Sequence, residues 1–295
     1  MKINIRKILF FSLSFILICA IVLMVLLYHF LGKATYFSDE KYSYTTENIG
    51  LEVNGMEIFG KAYIPESSGQ KEFPAVIYSH GYASTHNADN SVLKSLAMSG
   101  IAVYTFDFRG GSNQSQSEGK TTDMSVMTEK DDLNAVIDMV KTLDFVDDDH
   151  LFLLGASQGG FVSAITANDR PDDISGMILF YPAFVIGTDQ RKEYQTLQDV
   201  PEVMAFGDMD IGKVYYEDVW DFNVFAHISN YEGDVLIIHG DKDETVPYSY
   251  SEKAAKVYEH AELIKFQDQG HRFTGSKRTE AAELVYSFIQ DHVVR

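Results

Sequence analysis

The sequence predicts an α/β chain, with a mixed and mostly parallel sheet covered by helices on both faces. Three observations carry that expectation. Short apolar runs bounded by turn residues alternate with amphipathic stretches, the mark of repeated strand–helix units. Ahead of them, in YSYTTENIGLEVNGMEIFGKAYIP, two β-like runs join at Asn54-Gly55, a strong hairpin signal. Later, about fifty residues break the alternation. A connection that long inside one domain is functional or has structure of its own.

In chain order, the first element stands apart. Lys2, Arg6 and Lys7 precede an uncharged apolar run from Ile8 to Leu31. As a helix it would reach about 36 Å, more than the roughly 30 Å hydrocarbon core of a bilayer. Residues 1–33 are therefore expected to form a basic cytoplasmic stub and a transmembrane helix, with the rest of the chain outside the cell. The alternative is a signal peptide cleaved near Gly32-Lys33-Ala34, although the run exceeds the usual apolar core of such a signal. Cys19, the one cysteine, lies inside the run. The remainder is expected to fold without disulfides, and cysteine chemistry and cysteine metal sites are excluded there.

Residues 36–295 read as a single domain. Its strand-like runs are PAVIYSH (74–80), IAVYTFDF (101–108), HLFLLG (150–155), GMILFYP (176–182), DVLIIHG (234–240) and AELIKFQ (261–267). Runs this continuously apolar suit parallel strands buried on both faces. Between them, TEKDDLNAVIDMVKTL (128–143) opens with Thr128 three residues before Asp131, close to a capping box. It sets Leu133, Val136, Ile137 and Val140 on one face. QGGFVSAITAN, YSYSEKAAKVYEHA and RTEAAELVYSFIQDHV supply further helices. The interval that breaks the rhythm, about 183–232, is rich in aromatic residues and includes Tyr215, Tyr216 and Trp220.

Composition narrows the function. With 43 acidic against 24 basic residues the formal charge is −19, which argues against nucleic acid as a partner and against adsorption to anionic lipid. Asp147-Asp148-Asp149-His150 lacks the spacing and glycine of a calcium loop and reads as a solvated turn. The glycine-rich stretch 107–120 is not a phosphate-binding loop, and no nucleotide fingerprint occurs elsewhere. Neither cofactor nor metal is expected.

One constellation carries chemistry. Gly155-Ala156-Ser157-Gln158-Gly159 matches G-x-S-x-G, and it lies between the strand HLFLL and the helix QGGFVSAITAN. The glycines allow a sharp turn that exposes the Ser157 hydroxyl, and the helix N-terminus presents free N–H groups to developing negative charge. A serine nucleophile needs a base held by an acid. His271 in DQGHRF and the carboxylates of IIHGDKDETVP both follow strands, at the edge where such sheets place ligands. Asp243 is the candidate acid, with Asp241 the runner-up and more naturally a turn carboxylate. The oxyanion donors are expected to be the backbone N–H of Gln158 and, from the turn after His80-Gly81, that of Tyr82.

Together these residues make the chain resemble the α/β-hydrolase superfamily over about 45–290. More narrowly it is similar to bacterial cinnamoyl and feruloyl esterases. The resemblance lies in SHGY, DFRGGSNQSQSEGKTTDMSVMTEKDDL, GASQGG, HGDKDETVP and GHRF, in that order. It implies Ser157, Asp243 and His271 as a triad, Tyr82 and Gln158 as oxyanion donors, and a lid at about 183–232 between the sixth and seventh strands. In that group the insertion covers an aromatic acyl pocket; Tyr215, Tyr216 and Trp220 either line such a pocket or pack the lid's own core. The implied activity is a serine carboxylesterase acting on aryl, hydroxycinnamoyl or short acyl esters as small-molecule substrates. Alternatives on the same fold are a peptidase of the prolyl-oligopeptidase or aminopeptidase type and a monoacylglycerol lipase. The alternative from another class is a binding protein without catalysis.

Overall fold

A computed structural model describes residues 42–188 and 190–293. The expected transmembrane helix lies outside these residues. Among the described residues no helix is long and apolar enough to cross a membrane.

The chain enters through strands β1 (Ser43–Asn48), β2 (Leu51–Val53), β3 (Met56–Ile58) and β4 (Gly60–Glu66). The sequence suggests two longer runs here, and two glycines explain why they divide. A Cβ on Gly50 would lie 2.9 Å from the Ile58 carbonyl oxygen, and one on Gly60 would lie 1.7 Å from the Tyr104 hydroxyl. At both places the backbone runs against a neighbour too closely to carry a side chain. β2 and β3 pair as a separate hairpin, turned by Asn54 and Gly55 at positive φ (54° and 76°), as a type I′ turn requires. β1 and β4 pair antiparallel in the main sheet.

Next come β5 (Phe73–Ser79), helix α1 (Asn90–Ala97), β6 (Ala102–Phe106), α2 (Val126–Val140), β7 (Val146–Ala156), α3 (Gln158–Asp169) and β8 (Gly176–Phe180). β5, β6 and β8 are buried along their whole length, as strands covered on both faces must be. α2 begins earlier than Thr128 suggests. Ser125 is its N-cap and accepts from the N–H groups of Met127 and Thr128 (3.2 Å each), while Thr128 takes the reciprocal place in the box.

Between β8 and β11 (Val235–Gly240) the chain builds α4 (Gln190–Glu193), the hairpin β9 (Val203–Phe206) and β10 (Met209–Gly212), α5 (Val214–Glu217) and α6 (Val224–Ile228). This segment has its own small core, in which Val200, Met209, Ile211, Tyr215 and Tyr216 close over Met124. The domain ends with α7 (Ser249–Val257), β12 (Ala261–Phe266) and α8 (Ser276–Val293).

The main sheet runs β1-β4-β6-β5-β7-β8-β11-β12. β4 pairs antiparallel with β1 and β6, and from β6 to β12 every pairing is parallel. Alternate residues of β7 face opposite ways. Leu151 and Leu153 join the core with α2 and α3, whereas Phe152 meets Phe288 of α8 edge-on, with ring centroids 6.3 Å apart. Strands β5, β7, β11 and β12 run parallel and end at the same edge of the sheet, and the candidate site lies there.

Candidate active site

Ser157 occupies the single residue between β7 and α3. Its φ of 54° and ψ of −117° are costly for a residue with a side chain, on the order of 1–3 kcal/mol. Close packing holds it there. A Cβ on Gly159 would lie 2.1 Å from the Ser79 carbonyl oxygen, and one on Gly155 would lie 2.3 Å from that of Gly159. Only glycine permits the start of α3 to press against the ends of β5 and β7 in this way.

The loops after β11 and β12 bring the other groups in. The Ser157 hydroxyl donates to His271 Nε2 at 2.9 Å, and His271 Nδ1–H donates to Asp243 Oδ2 at 2.8 Å. This tautomer follows from the carboxylate, which can only accept. Asp243 Oδ1 accepts the N–H groups of Thr245 and Val246 (2.9 Å each). Burial alone would raise the Asp243 carboxyl. The donations by His239, His271 and Val246 outweigh that and hold it well below the usual carboxylate range. Asp241, the runner-up, stands outside this arrangement: its Oδ1 accepts the Asp268 N–H at 2.7 Å and so ties down the loop leading to His271.

A second imidazole stands behind the first. His239, fully buried at the end of β11, places Nε2 3.0 Å from the same Asp243 Oδ2 and 3.1 Å from the Val246 carbonyl oxygen, while Ser251 Oγ lies 2.7 Å from its Nδ1. It belongs to the stretch HGDKDETVP, yet sequence reasoning assigned it no part, because its contact with Asp243 depends on burial that no motif encodes.

The turn after β5 lies against Ser157. A Cβ on Gly81 would be 3.1 Å from Ser157 Cβ and 3.7 Å from its Oγ. His80 is buried; its Nε2 accepts the Phe108 N–H at 3.2 Å, so Nδ1–H donates to the Gly81 carbonyl at 2.8 Å. Desolvation pushes the His80 imidazole below its usual range, which keeps it neutral in this role. In a trans peptide the carbonyl and the next N–H point in opposite directions, so the Tyr82 N–H is turned away from His80. The Gln158 N–H is the first of α3, where helices leave donors free.

Ser157 and His271 open into a cavity of about 690 Å³. One wall is aromatic: Tyr82, Phe206 and Tyr215 lie with ring centroids 5.1–6.2 Å apart, and Tyr216 extends the group. Tyr215 and Tyr216 are both cavity wall and core of the inserted segment, while Trp220 packs against that core and is not among the lining residues. Two hydroxyls bind the segment to the site, Tyr82 to the Phe206 carbonyl and Tyr215 to Gln158 Oε1, each at 2.6 Å. Beneath them Glu129 is buried, and desolvation raises its carboxyl well above the usual range. Among the described residues, no three His, Cys, Asp or Glu side chains stand close enough together to hold a metal ion.

The sheet with its strained serine elbow defines an α/β-hydrolase-fold serine hydrolase. The chain belongs to the prolyl oligopeptidase family, whose sequence profile matches residues 87–294. A Bacillus subtilis relative named uncharacterized peptidase YuxL is 25% identical over 290 residues, which cover 90% of this chain and 40% of that protein. The chain thus spans less than half of that relative's length. The AB hydrolase superfamily protein YisY of the same organism is 23% identical over 256 residues, 72% of this chain and 90% of its own. Among solved structures, Est1E from Butyrivibrio proteoclasticus with ferulic acid bound matches with a TM-score of 0.76 at 25% identity, covering 84% of this chain and 100% of that one.

Proposed function

We propose that the chain is a carboxylic-ester hydrolase acting on aryl, hydroxycinnamoyl and short acyl esters. The observation that carries this reading is the aromatic wall that shares one cavity with Ser157. A flat apolar acyl group fits against such a wall, and the likeness to the ferulate-bound Est1E supports the same choice.

In this mechanism His271 takes the Ser157 proton as Oγ attacks the ester carbonyl, and the N–H groups of Gln158 and Tyr82 receive the oxyanion. His271 then returns the proton to the departing alkoxide. Water repeats the sequence and releases the acid. Asp243, ionised throughout, stabilises the imidazolium and fixes its tautomer. Residues 183–232 serve as the lid over the acyl side. The run Ile8–Leu31, behind Lys2, Arg6 and Lys7, anchors the enzyme with its active domain outside the cell.

A peptidase is the second reading. The peptidase-named relative favours it, as do two cavity carboxylates: Asp89 accepts from the Tyr78 hydroxyl (2.7 Å) and Glu193 from that of Tyr216 (3.0 Å), and either suits a free ammonium group.

The test compares the full chain with its Ser157→Ala variant on methyl ferulate, p-nitrophenyl acetate and an aminoacyl p-nitroanilide. Ferulate cleavage is expected, with a loss on the order of 10⁴–10⁶-fold in the variant. Cleavage of the anilide alone would replace the esterase reading with the peptidase one.

A further inference from the structure

Opposite in character to the aromatic wall, part of the cavity is lined by cations that ester cleavage does not use. Arg272 directly follows His271, and Arg278 lies in the first turn of α8; both line the cavity that holds Ser157. Among the described residues Arg272 makes no side-chain hydrogen bond and no ion pair. Arg278 donates through Nε to the Phe273 carbonyl (2.8 Å) and has no ion pair, so its terminal nitrogens remain available.

Both arginines are exposed, and no ion pair among the described residues requires either charge. A cation in the first turn of a helix opposes the helix dipole, and α8 has no acidic residue there to offset it. The chain also carries 43 carboxylates against 24 cations, so an unpaired guanidinium is not the consequence of a shortage of acids. The charge of Arg272 reaches the cavity floor, where it draws the buried Tyr78 and Tyr181 hydroxyls downward against the larger effect of burial. The carboxylates near the same floor form no ion pair with either arginine. Asp89 accepts from Tyr78, and Asp243 accepts from two imidazoles.

Position relative to the reaction decides which half of the substrate meets these arginines. The departing oxygen must reach His271 Nε2 for its proton, so the group attached to it leaves along the loop that carries His271 and then Arg272. The ester-hydrolase reading assigns the acyl half to the side of Gln158 and the aromatic wall.

We propose that Arg272 and Arg278 form a subsite for a carboxylate on the leaving half of the substrate, so that the preferred substrates are esters of hydroxy acids rather than of neutral alcohols. Guanidinium groups suit this task because their planar fork matches a carboxylate with two parallel hydrogen bonds. The inference rests on the ester-hydrolase reading above.

The experiment uses matched esters, cinnamoyl glycolate against cinnamoyl glycolamide and acetyl glycolate against acetyl glycolamide. It records the anionic-to-neutral ratio of kcat/KM within each protein, so losses common to both esters cancel. In the full chain the ratio is expected to be about tenfold or more, the scale of a charge-assisted hydrogen bond. It falls toward one in Arg272→Gln, falls further with Arg278→Gln added, and shrinks in the unmodified chain as KCl rises from 50 to 500 mM. A ratio near one in the unmodified chain overturns the proposal, as does a ratio that survives both substitutions. If the cinnamoyl pair is inert and the acetyl pair is cleaved, the aryl preference fails while the acetyl ratio still decides the subsite. If neither pair is cleaved, the ester-hydrolase reading and the subsite fall together.

Discussion

Asp243 Oδ2 accepts from two imidazoles, and only one of them faces Ser157. Because His239 is buried with both ring nitrogens engaged, its tautomer is fixed: Nε2–H donates toward Asp243 and the Ser251 hydroxyl donates to Nδ1. It therefore keeps the carboxylate from rotating away from His271. His239→Leu is expected to lower kcat about tenfold with little change in KM. His239→Gln, whose amide can still donate to Oδ2, is expected to recover most of that loss. Equal losses in both variants would mean that donation to Asp243 Oδ2 is not what the site needs from His239. Ser157 was legible in the sequence because the turn that presents it demands glycine at 155 and 159, and His271 because it follows a strand at the same sheet edge. Asp243 was legible only as one of two carboxylates, and its donors Thr245 and Val246 settle which of them meets His271. His239, Arg272 and Arg278 were not legible, since their significance lies in neighbours brought from other parts of the chain.

Helix α2 shows how an element can be recognised and still misplaced. Thr128-x-x-Asp131 and Ser125-x-x-Thr128 are both plausible starts, and what favours Ser125 is the hydrogen bond of its hydroxyl to Asp218 of the inserted segment, 93 residues away. Ser125 thus joins a helix cap to the segment that walls the cavity. Ser125→Ala is expected to cost about 1–2 kcal/mol of stability in chemical denaturation, in the range of a lost cap. It should also raise KM for aryl esters as the segment loosens; an unchanged KM would separate the cap from the wall. The two-turn helix α1 escaped the sequence reading altogether. Its apolar residues Val92, Leu93, Leu96 and Ala97 span too few turns to declare a period, and its first flanking residue, Asp89, turns left-handed (φ 51°) toward Tyr78 instead of capping the helix.

Across the molecule, buried carboxylates make stability depend on pH in two opposing ways. Burial pushes the Asp132 carboxyl up to about 6, against the pull of Arg109 at 2.6 Å, and raises that of Glu129 well above the usual range. A raised carboxyl favours the folded state while protonated, so this contribution is complete below about pH 4 and is lost as pH rises through 6 and beyond. Asp243 and Asp107 are depressed: despite burial, hydrogen bonds from His239 and His271 hold the first and those from His86 and Gln116 the second. Their contribution is present above about pH 4 and is lost on further acidification. The net charge of −19 adds self-repulsion that also eases as pH falls. Tm is therefore expected to rise from pH 8 toward 5 and to drop below 4; a maximum above pH 7 would refute this balance. The strand order was beyond the sequence, because burial makes each parallel strand uniformly apolar and leaves no mark of which strands are neighbours.

One further consequence follows from how the loops after β11 and β12 are joined. The Lys242 N–H donates to the Gln269 carbonyl at 2.9 Å, Asp241 accepts from Asp268, and a Cβ on Gly240 would lie 2.2 Å from the Gln269 carbonyl oxygen. Asp243 and His271 are thus carried by loops clasped to each other, and the segment between β8 and β11 is no part of that clasp. On the ester-hydrolase proposal, exchanging that segment for one of different sequence is expected to change substrate preference while the clasp keeps Asp243 beside His271.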